Sequence, residues 1–340
     1  HCLSSAASDV YKRQSLMRRG VVGLGIWCVD TTYKIDHLPE RGKLVSIKGQ
    51  YQCVGGGPNN VLTNLSSLGF KYDLIAMGSI GNDDNSKLIK NHCRSNGIIS
   101  KYLSVSSNIP TSYSLCMSEK QNERTFLYYS GANDLLDIDH FRLSKLSNYP
   151  KILYVGYLSL LGRLDEFSGK ETRLCKVLKE SRKKGIINII DLASNNIPNF
   201  QKIIFSALPY TDYLLLNEIE AQLLFKKKII NSKNRLDKKL IINLSRKIFQ
   251  KGLQRAFIIH SPYESLYISK KDIYHSESPK IQKKNIKNAV GAGDAFCAGF
   301  IFGVHEDWDI EVTLRKSHAA GSAMMKIDSS SGNLPNIKKL

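Results

Sequence analysis

The chain has 340 residues, 42% apolar and 23% charged, which is an ordinary globular balance and enough to bury a sizeable core in one large α/β domain or two smaller ones. No run of about 18 apolar residues occurs, so no membrane partner is expected. The net charge is +19, but the lysines sit in scattered runs (Lys226-Lys227-Lys228, Lys238-Lys239, Lys283-Lys284) and are not interleaved with aromatics, so no nucleic-acid partner is expected. The seven cysteines are odd in number and widely spaced, with no C-x-x-C pair. That pattern argues against a disulfide framework or a zinc site and for a reducing, cytoplasmic location.

Taken in chain order, residues 1–16 carry no apolar signal segment and read as a non-native or disordered leader, with Met17 as the native start. Residues 17–340 read as a single domain. "VVGLGIW" is a buried strand. In "NNVLTNLSSLG", Val61, Leu62, Leu65 and Leu68 recur at helical spacing and Gly69 closes the helix. "YDLIAMG" is a strand and "DDNSKLIKNHCRSNG" a helix. "KILYVGYL", "IINIIDL", "DYLLLN" and "AFIIHS" are four further strands. Helices are expected between them at Arg163–Lys184, Phe200–Leu208, Glu218–Phe225 and Leu240–Lys251, with an exposed loop at Lys226–Lys239. This alternation predicts an α/β fold: a doubly wound, mostly parallel sheet with helices on both faces and ligands at the C-terminal ends of its strands. Two stretches with a period of two, about 31–54 and 110–132, break the rhythm and predict a small antiparallel sheet inserted as a lid.

Three motifs carry chemistry. In "NAVGAGDAFCAGF", Gly291-Ala292-Gly293 precede a helical apolar run, so their unpaired amides face the positive end of a helix and suit a phosphate. Asp294 in that first turn is a poor phosphate ligand but a good acceptor for the proton of an attacking hydroxyl; the plain alternative is a helix cap. "GGGPNN" offers Gly55 and Gly56 for close approach and Asn60 for hydroxyls, and it lacks the phosphate-loop lysine pattern. Asp30, ending "GIWCVD", can accept two hydroxyls of a polyol or cap the next segment. A dinucleotide motif after Gly23-x-Gly25 would need glycine at Cys28, which speaks against an oxidoreductase.

These motifs, in this order over Val21 to Asn333, resemble the PfkB, or ribokinase-like, family of sugar kinases. Gly55-Gly56…Asn60 with Gly78-x-Ile80-Gly81-x-Asp83 looks like the family's first signature, and Asn288 to Asp294 looks like its second. The resemblance implies Asp294 as general base and Gly291, Ala292 and Gly293 as the anion hole. Asp30, Gly55, Gly56 and Asn60 would hold a sugar. Asn217 and Glu220 of the N-x-x-E pattern would place nucleotide phosphates, with Glu220 toward Mg²⁺. It also implies ATP as phosphoryl donor, transfer to a primary hydroxyl, and a homodimer through the lid.

Two positions depart from the family pattern. Asn288-Ala289 replace Asp-Thr, which puts activation by potassium in doubt. His260-Ser261-Pro262-Tyr263-Glu264 lacks the glycines of the usual nucleotide turn, leaving His260 and His318 as nucleotide contacts. The alternatives are an adenosine-like nucleoside kinase, with Trp27 and Tyr113 as aromatics to stack a base, and a non-catalytic sugar-binding relative.

Overall fold

The structure is a computed structural model that describes residues 18–340 apart from 120–123, 196 and 288. The expected leader with Met17, residues 120–123 of the second period-two stretch, and Asn288 lie outside the described residues.

In chain order the strands are β1 (Val21–Gly25), β2 (Cys28–Lys34), β3 (Gly49–Gly55), β4 (Leu74–Ile80), β5 (Ile98–Ile99), β6 (Leu103–Val105), β7 (Tyr113–Ser118), β8 (Arg124–Tyr129), β9 (Ile152–Leu158), β10 (Phe167–Ser168), β11 (Glu171–Thr172), β12 (Ile187–Leu192), β13 (Tyr213–Asn217), β14 (Ala256–His260), β15 (Glu264–Ser269) and β16 (Ile273–Glu277). The α-helices are α1 (Gly57–Ser67), α2 (Asp84–Ser95), α3 (Leu174–Lys183), α4 (Phe200–Ala207), α5 (Glu218–Phe225), α6 (Lys238–Gln250), α7 (Ala292–His305) and α8 (Ile310–Met324).

The main sheet runs β16-β15-β14-β13-β12-β9-β1-β4-β5, with β6 beside β4. From β14 through β4 every pairing is parallel, and β15 and β16 add an antiparallel edge. The central strands are continuous apolar runs because helices cover both faces. Leu153, Val155, Leu214 and Leu216 pack toward α3–α6, while Tyr154, Ile189, Leu215 and Ile258 pack toward α1, α2, α7 and α8. The first strand, β1, lies between β4 and β9, so the chain winds outward on both sides of it. The switch beside β1 opens a crevice at the C-terminal strand ends, where open α/β sheets bind ligands.

Helix α7 is the most buried helix, with all its residues from Asp294 to His305 inside. Gly299 and Gly303 let α8 close on it: a Cβ there would stand 2.7 Å from Ser317 Cα and 2.4 Å from Thr313 Oγ1. A larger residue would push the two helices apart.

The two period-two stretches form a separate four-stranded sheet, β3-β2-β7-β8. Its outer pairs are antiparallel, as expected, but β2 and β7 pair in parallel. The chain leaves the main sheet from the same edge each time, so both strands run outward together.

The expected helix Arg163–Lys184 is shorter than predicted. A 3₁₀ turn (Gly162–Asp165) and the β10–β11 hairpin come first, and the helix begins only at Leu174. Gly169, at φ +72° in the hairpin turn, takes a left-handed backbone that breaks the helical run. The Lys226–Lys239 loop exposes its lysines but buries Ile229 and Leu236, so it is only partly a solvent loop. Among the described residues no helix is long and apolar enough to cross a membrane.

Candidate active site

Helix α7 starts on Gly291 at φ +82°, where a Cβ would meet the Ser330 carbonyl oxygen at 1.9 Å. Only glycine fits, and among the described residues no side chain caps the helix, although the Ala292 amide donates to the Ala289 carbonyl at 3.4 Å. Asp294 in the first turn reaches across to other elements. It accepts from Asn60 Nδ2 on α1 at 2.9 Å, and from the Tyr157 hydroxyl at the end of β9 at 2.8 and 3.0 Å. Burial pushes its carboxyl up to about 6. The Asp30 charge adds to that shift, and the Tyr157 and Asn60 hydrogen bonds oppose it.

Asp30 projects from β2 on the face toward the crevice and accepts from Ser114 Oγ of β7, with Cys28 Sγ at 3.5 Å. Burial raises its carboxyl as well. Gly55 is needed beside it, since a Cβ there would lie 2.0 Å from Asp30 Oδ2. Gly56, at φ +96°, has its own reason: a Cβ would strike the Ile26 carbonyl oxygen at 2.2 Å. Asn59 is buried and holds Asn60 in place, donating to Val54 O at 2.8 Å and Asn60 Oδ1 at 3.2 Å.

Asn217 and Glu220 form a reciprocal capping box at the start of α5. The Asn217 side-chain oxygen accepts from the Glu220 amide at 2.9 Å, and Glu220 Oε2 accepts from the Asn217 amide at 2.9 Å. Glu220 Oε1 also accepts from Asn217 Nδ2 and Ser194 Oγ. Burial, reinforced by the charges of Asp294 and Glu218, lifts its carboxyl to about 7. Asp191, ending β12, accepts from the Tyr154 hydroxyl at 3.2 Å; burial and then the Glu220 and Asp294 charges raise it well above the usual carboxylate range.

Asp30, Asn60, Asp191, Asn217, Glu220, Gly291, Gly293 and Asp294 line one cleft of about 830 Å³. Four of the described lining residues are carboxylic acids and none is lysine or arginine. An adjoining pocket of about 210 Å³ shares Asn217, His260 and Gly293 with the cleft and continues past Phe296, His318, Ser322 and Met325. His260 stacks on Phe296 at 4.7 Å and 25°, while His318 meets the same ring edge-on at 5.0 Å and bonds Ser265 Oγ at 2.9 Å. Burial holds both imidazoles neutral, His260 down to about 3 and His318 down to about 4.

Every residue singled out from the sequence as a sugar, nucleotide or catalytic contact thus lines this double cleft, Ala292 in the smaller pocket, apart from Gly55, which shapes it from behind Asp30. The two aromatics suggested for base stacking are elsewhere. Trp27 is fully buried, its indole donating to Met77 O at 3.1 Å, and Tyr113 packs on Tyr129 outside the cleft. Phe126 and Tyr128 of β8 line the cleft instead. Sequence reasoning also missed Tyr157, Ser114 and Phe296. For Tyr157 the available signal was a hydroxylated aromatic at the C-terminal end of an otherwise apolar strand.

Residues 21–337 match the pfkB family of carbohydrate kinases. A ribokinase of Dictyostelium discoideum is 25% identical over 290 residues, covering 82% of this chain and 85% of the relative. An adenosine kinase of the same organism is 25% identical over 295 residues, covering 84% and 82%. The structure of Arabidopsis thaliana ribokinase complexed with ribose and ATP is similar with a TM-score of 0.74 at 20% identity, covering 95% of this chain and 97% of that one. The fold is ribokinase-like, and the chain belongs to the pfkB family of carbohydrate kinases, phosphotransferases with an alcohol group as acceptor.

Proposed function

We propose that the protein transfers the γ-phosphoryl group of ATP to a primary hydroxyl of a sugar, with Asp294 as general base. The observation that carries this reading is the buried Asp294 carboxylate at the meeting point of the larger cleft and the uncapped N-terminus of α7. The acceptor is held by Asp30, Asn60 and the space left by Gly55 and Gly56. The nucleotide base lies in the smaller pocket between His260, His318 and Phe296, and its phosphates point along Asn217 toward Gly291–Gly293. Neutral imidazoles suit an uncharged base. As the acceptor oxygen attacks phosphorus, its proton passes to Asp294, and the charge on the moving phosphoryl group rests on the amides of Gly291, Ala292 and Gly293. The bond from the γ-phosphorus to the bridging oxygen breaks as the new bond forms, and ADP leaves with that electron pair.

A polyphosphate entering a cleft whose described walls carry four acids and no lysine or arginine needs a cation. The residues present fit Mg²⁺: Glu220 and Asp191 are buried acids with raised carboxyls, and a nearby cation would hold both ionised. Both Glu220 oxygens are already hydrogen-bonded, so it would hold the ion's waters rather than the ion itself. When bound, Mg²⁺ would neutralise charge on the β- and γ-phosphates.

Phe126 and Tyr128 favour a second reading, in which the acceptor is a nucleoside with its base stacked beneath the four-stranded sheet. A binding protein without turnover fits less well, because an uncapped glycine turn and a buried base carry a stability cost that binding alone does not require. ADP release measured with Mg·ATP against D-ribose, other sugars and adenosine separates the three. Asp294→Asn is expected to lower turnover by about 10²–10⁴-fold while ATP binding, followed by calorimetry, stays within a few-fold. Turnover close to that of the parent would end the base assignment.

A further inference from the structure

The Tyr157 hydroxyl lies 2.8 Å from one oxygen of Asp294 and 3.0 Å from the other. A phenol has one proton to give, so it is shared across the mouth of the carboxylate. Asn60 Nδ2 takes a further position on Oδ2, while among the described residues Oδ1 accepts from Tyr157. The phenol has little freedom. It projects from the end of β9, and its ring presses on the first turn of α1, where a Cβ on Gly57 would stand 3.0 Å from Tyr157 Cε1.

We propose that Tyr157 is a positioning residue: its hydroxyl fixes the carboxylate of Asp294 and keeps it ionised, so that Oδ1 stays turned toward the acceptor. The inference rests on Asp294 being the base. The other titratable groups around Asp294 all disfavour its charge or leave it unchanged. Asp30 on β2, Asp191 on β12 and Glu220 on α5 are acids whose carboxyls burial raises, and none of them brings a positive charge. Tyr154 on β9 and Cys297 on α7 itself have raised values and stay neutral. His260 on β14 is neutral and carries no compensating positive charge. Among the described groups, ionisation at this position therefore depends on two neutral donors, and the donor from Tyr157 is the one aimed at both oxygens.

The phenol donates to the charged form of the acid, so removing it raises the acid's pKa. Tyr157→Phe keeps the ring and its packing while deleting the hydroxyl. The first measurement needs no acceptor: the ¹³Cγ resonance of Asp294 is followed against pH in the intact protein, assigned by its loss in Asp294→Asn. Tyr157→Phe is expected to titrate about one pH unit higher than the parent. The second is the pH profile of kcat/KM with the best acceptor from the panel. Its acid limb should move up by the same amount, with a loss of about fivefold near pH 6 that approaches about tenfold toward pH 5 and largely recovers near pH 8.

Fluorotyrosine at position 157, a stronger donor, should move both curves the other way, which keeps the test open if the phenylalanine variant folds poorly. An unmoved titration with either replacement, or a uniform loss of kcat at every pH, overturns the proposal and leaves Tyr157 as packing. If Asp294→Asn is inactive while the Tyr157→Phe profile is unshifted, the positioning role alone fails. If Asp294→Asn remains active, the base assignment fails instead.

Discussion

Two carboxylates with different surroundings divide the proposed work between them. Asp294 is caught between neutral donors from two other elements and is pushed up to about 6 by burial. That places it near the working range of a base that must accept a proton at neutral pH. Asp30 lies in the same cleft but bonds to Ser114 and Cys28 of its own sheet, which orients it toward a ligand's hydroxyls without bringing it to the helix terminus. The difference predicts different kinetics. Asp30→Ala removes a charged acceptor of hydroxyl protons, a loss of about 1.5–3 kcal/mol, and should raise the acceptor KM by about 10–100-fold with the ATP KM within about threefold. Initial-rate measurements varying each substrate in turn check this; equal rises in both constants would remove Asp30 from the acceptor side. Asp30 was conspicuous in the sequence as a lone acid closing an apolar run, but the expected place at the end of the first strand was wrong: β1 stops at Gly25, and Asp30 lies within β2 of the four-stranded sheet. Tyr157 was not conspicuous, because a tyrosine in "KILYVGYL" satisfies the strand pattern whether or not its hydroxyl has a partner.

At the scale of elements, the four-stranded sheet has two faces of different chemistry. Cys28, Asp30, Ser114, Phe126 and Tyr128 share the face toward the cleft. The opposite face carries Tyr113 paired with Tyr129 and Leu115 paired with Leu127, with Leu127 57% exposed. A row of aromatic and aliphatic side chains on the outside of a sheet is stable against water only at a cost, and a second copy of the chain would cover it. The homodimer that the family resemblance implies would form there. Leu127→Asp should convert a dimer to a monomer in light scattering at micromolar concentration; a parent protein that is already monomeric under those conditions would remove the proposal. The sequence predicted both halves of this sheet from their period-two alternation, which is a local property. It did not predict the parallel β2–β7 junction, because that pairing joins segments separated by α1, β4 and α2 and depends on where each leaves the main sheet. The missed hairpin before α3 has the opposite cause: Phe167 to Thr172 is too short to register a period, and apolar residues on either side continue a helical spacing through it.

Across the whole molecule, the cleft concentrates unfavourable charge inside an otherwise well-packed body. Asp191, Glu220 and Asp294 come from β12, α5 and α7, three distant parts of the chain; the charges of Glu220 and Asp294 raise the carboxyl of Asp191, and that of Asp294 raises Glu220. Such acids bind protons more tightly in the folded state than in the unfolded one. When ionised they therefore subtract stability, and the loss grows as pH rises through the window from their ordinary values near 4 up to about 7. His260 and His318 act with the opposite sign: held neutral in the fold, they cost stability as pH falls from about 6.5 toward about 4 for His318 and about 3 for His260. The two groups oppose each other in the lower window, so the acids are best isolated by substitution at high pH. Asp191→Asn is the cleanest case. Asp191 Oδ1 accepts from the Leu192 amide and Oδ2 from the Tyr154 hydroxyl, and an asparagine can keep both contacts if its amide donates to the phenol oxygen. At pH 8 the variant should melt a few degrees above the parent, at about 2–4 °C per kcal/mol regained. The gap should close as pH falls toward 4, where the parent's acid is protonated in both states. The same variant should lose turnover at pH 8, because the site is then short of a charge that the proposed Mg²⁺ site would use. Thermal unfolding followed by circular dichroism across that pH range, alongside ADP release, measures both effects. A variant no more stable than the parent at pH 8 would mean that Asp191 is not held ionised against its surroundings, and the acidic cluster would lose its place as the source of strain in the fold.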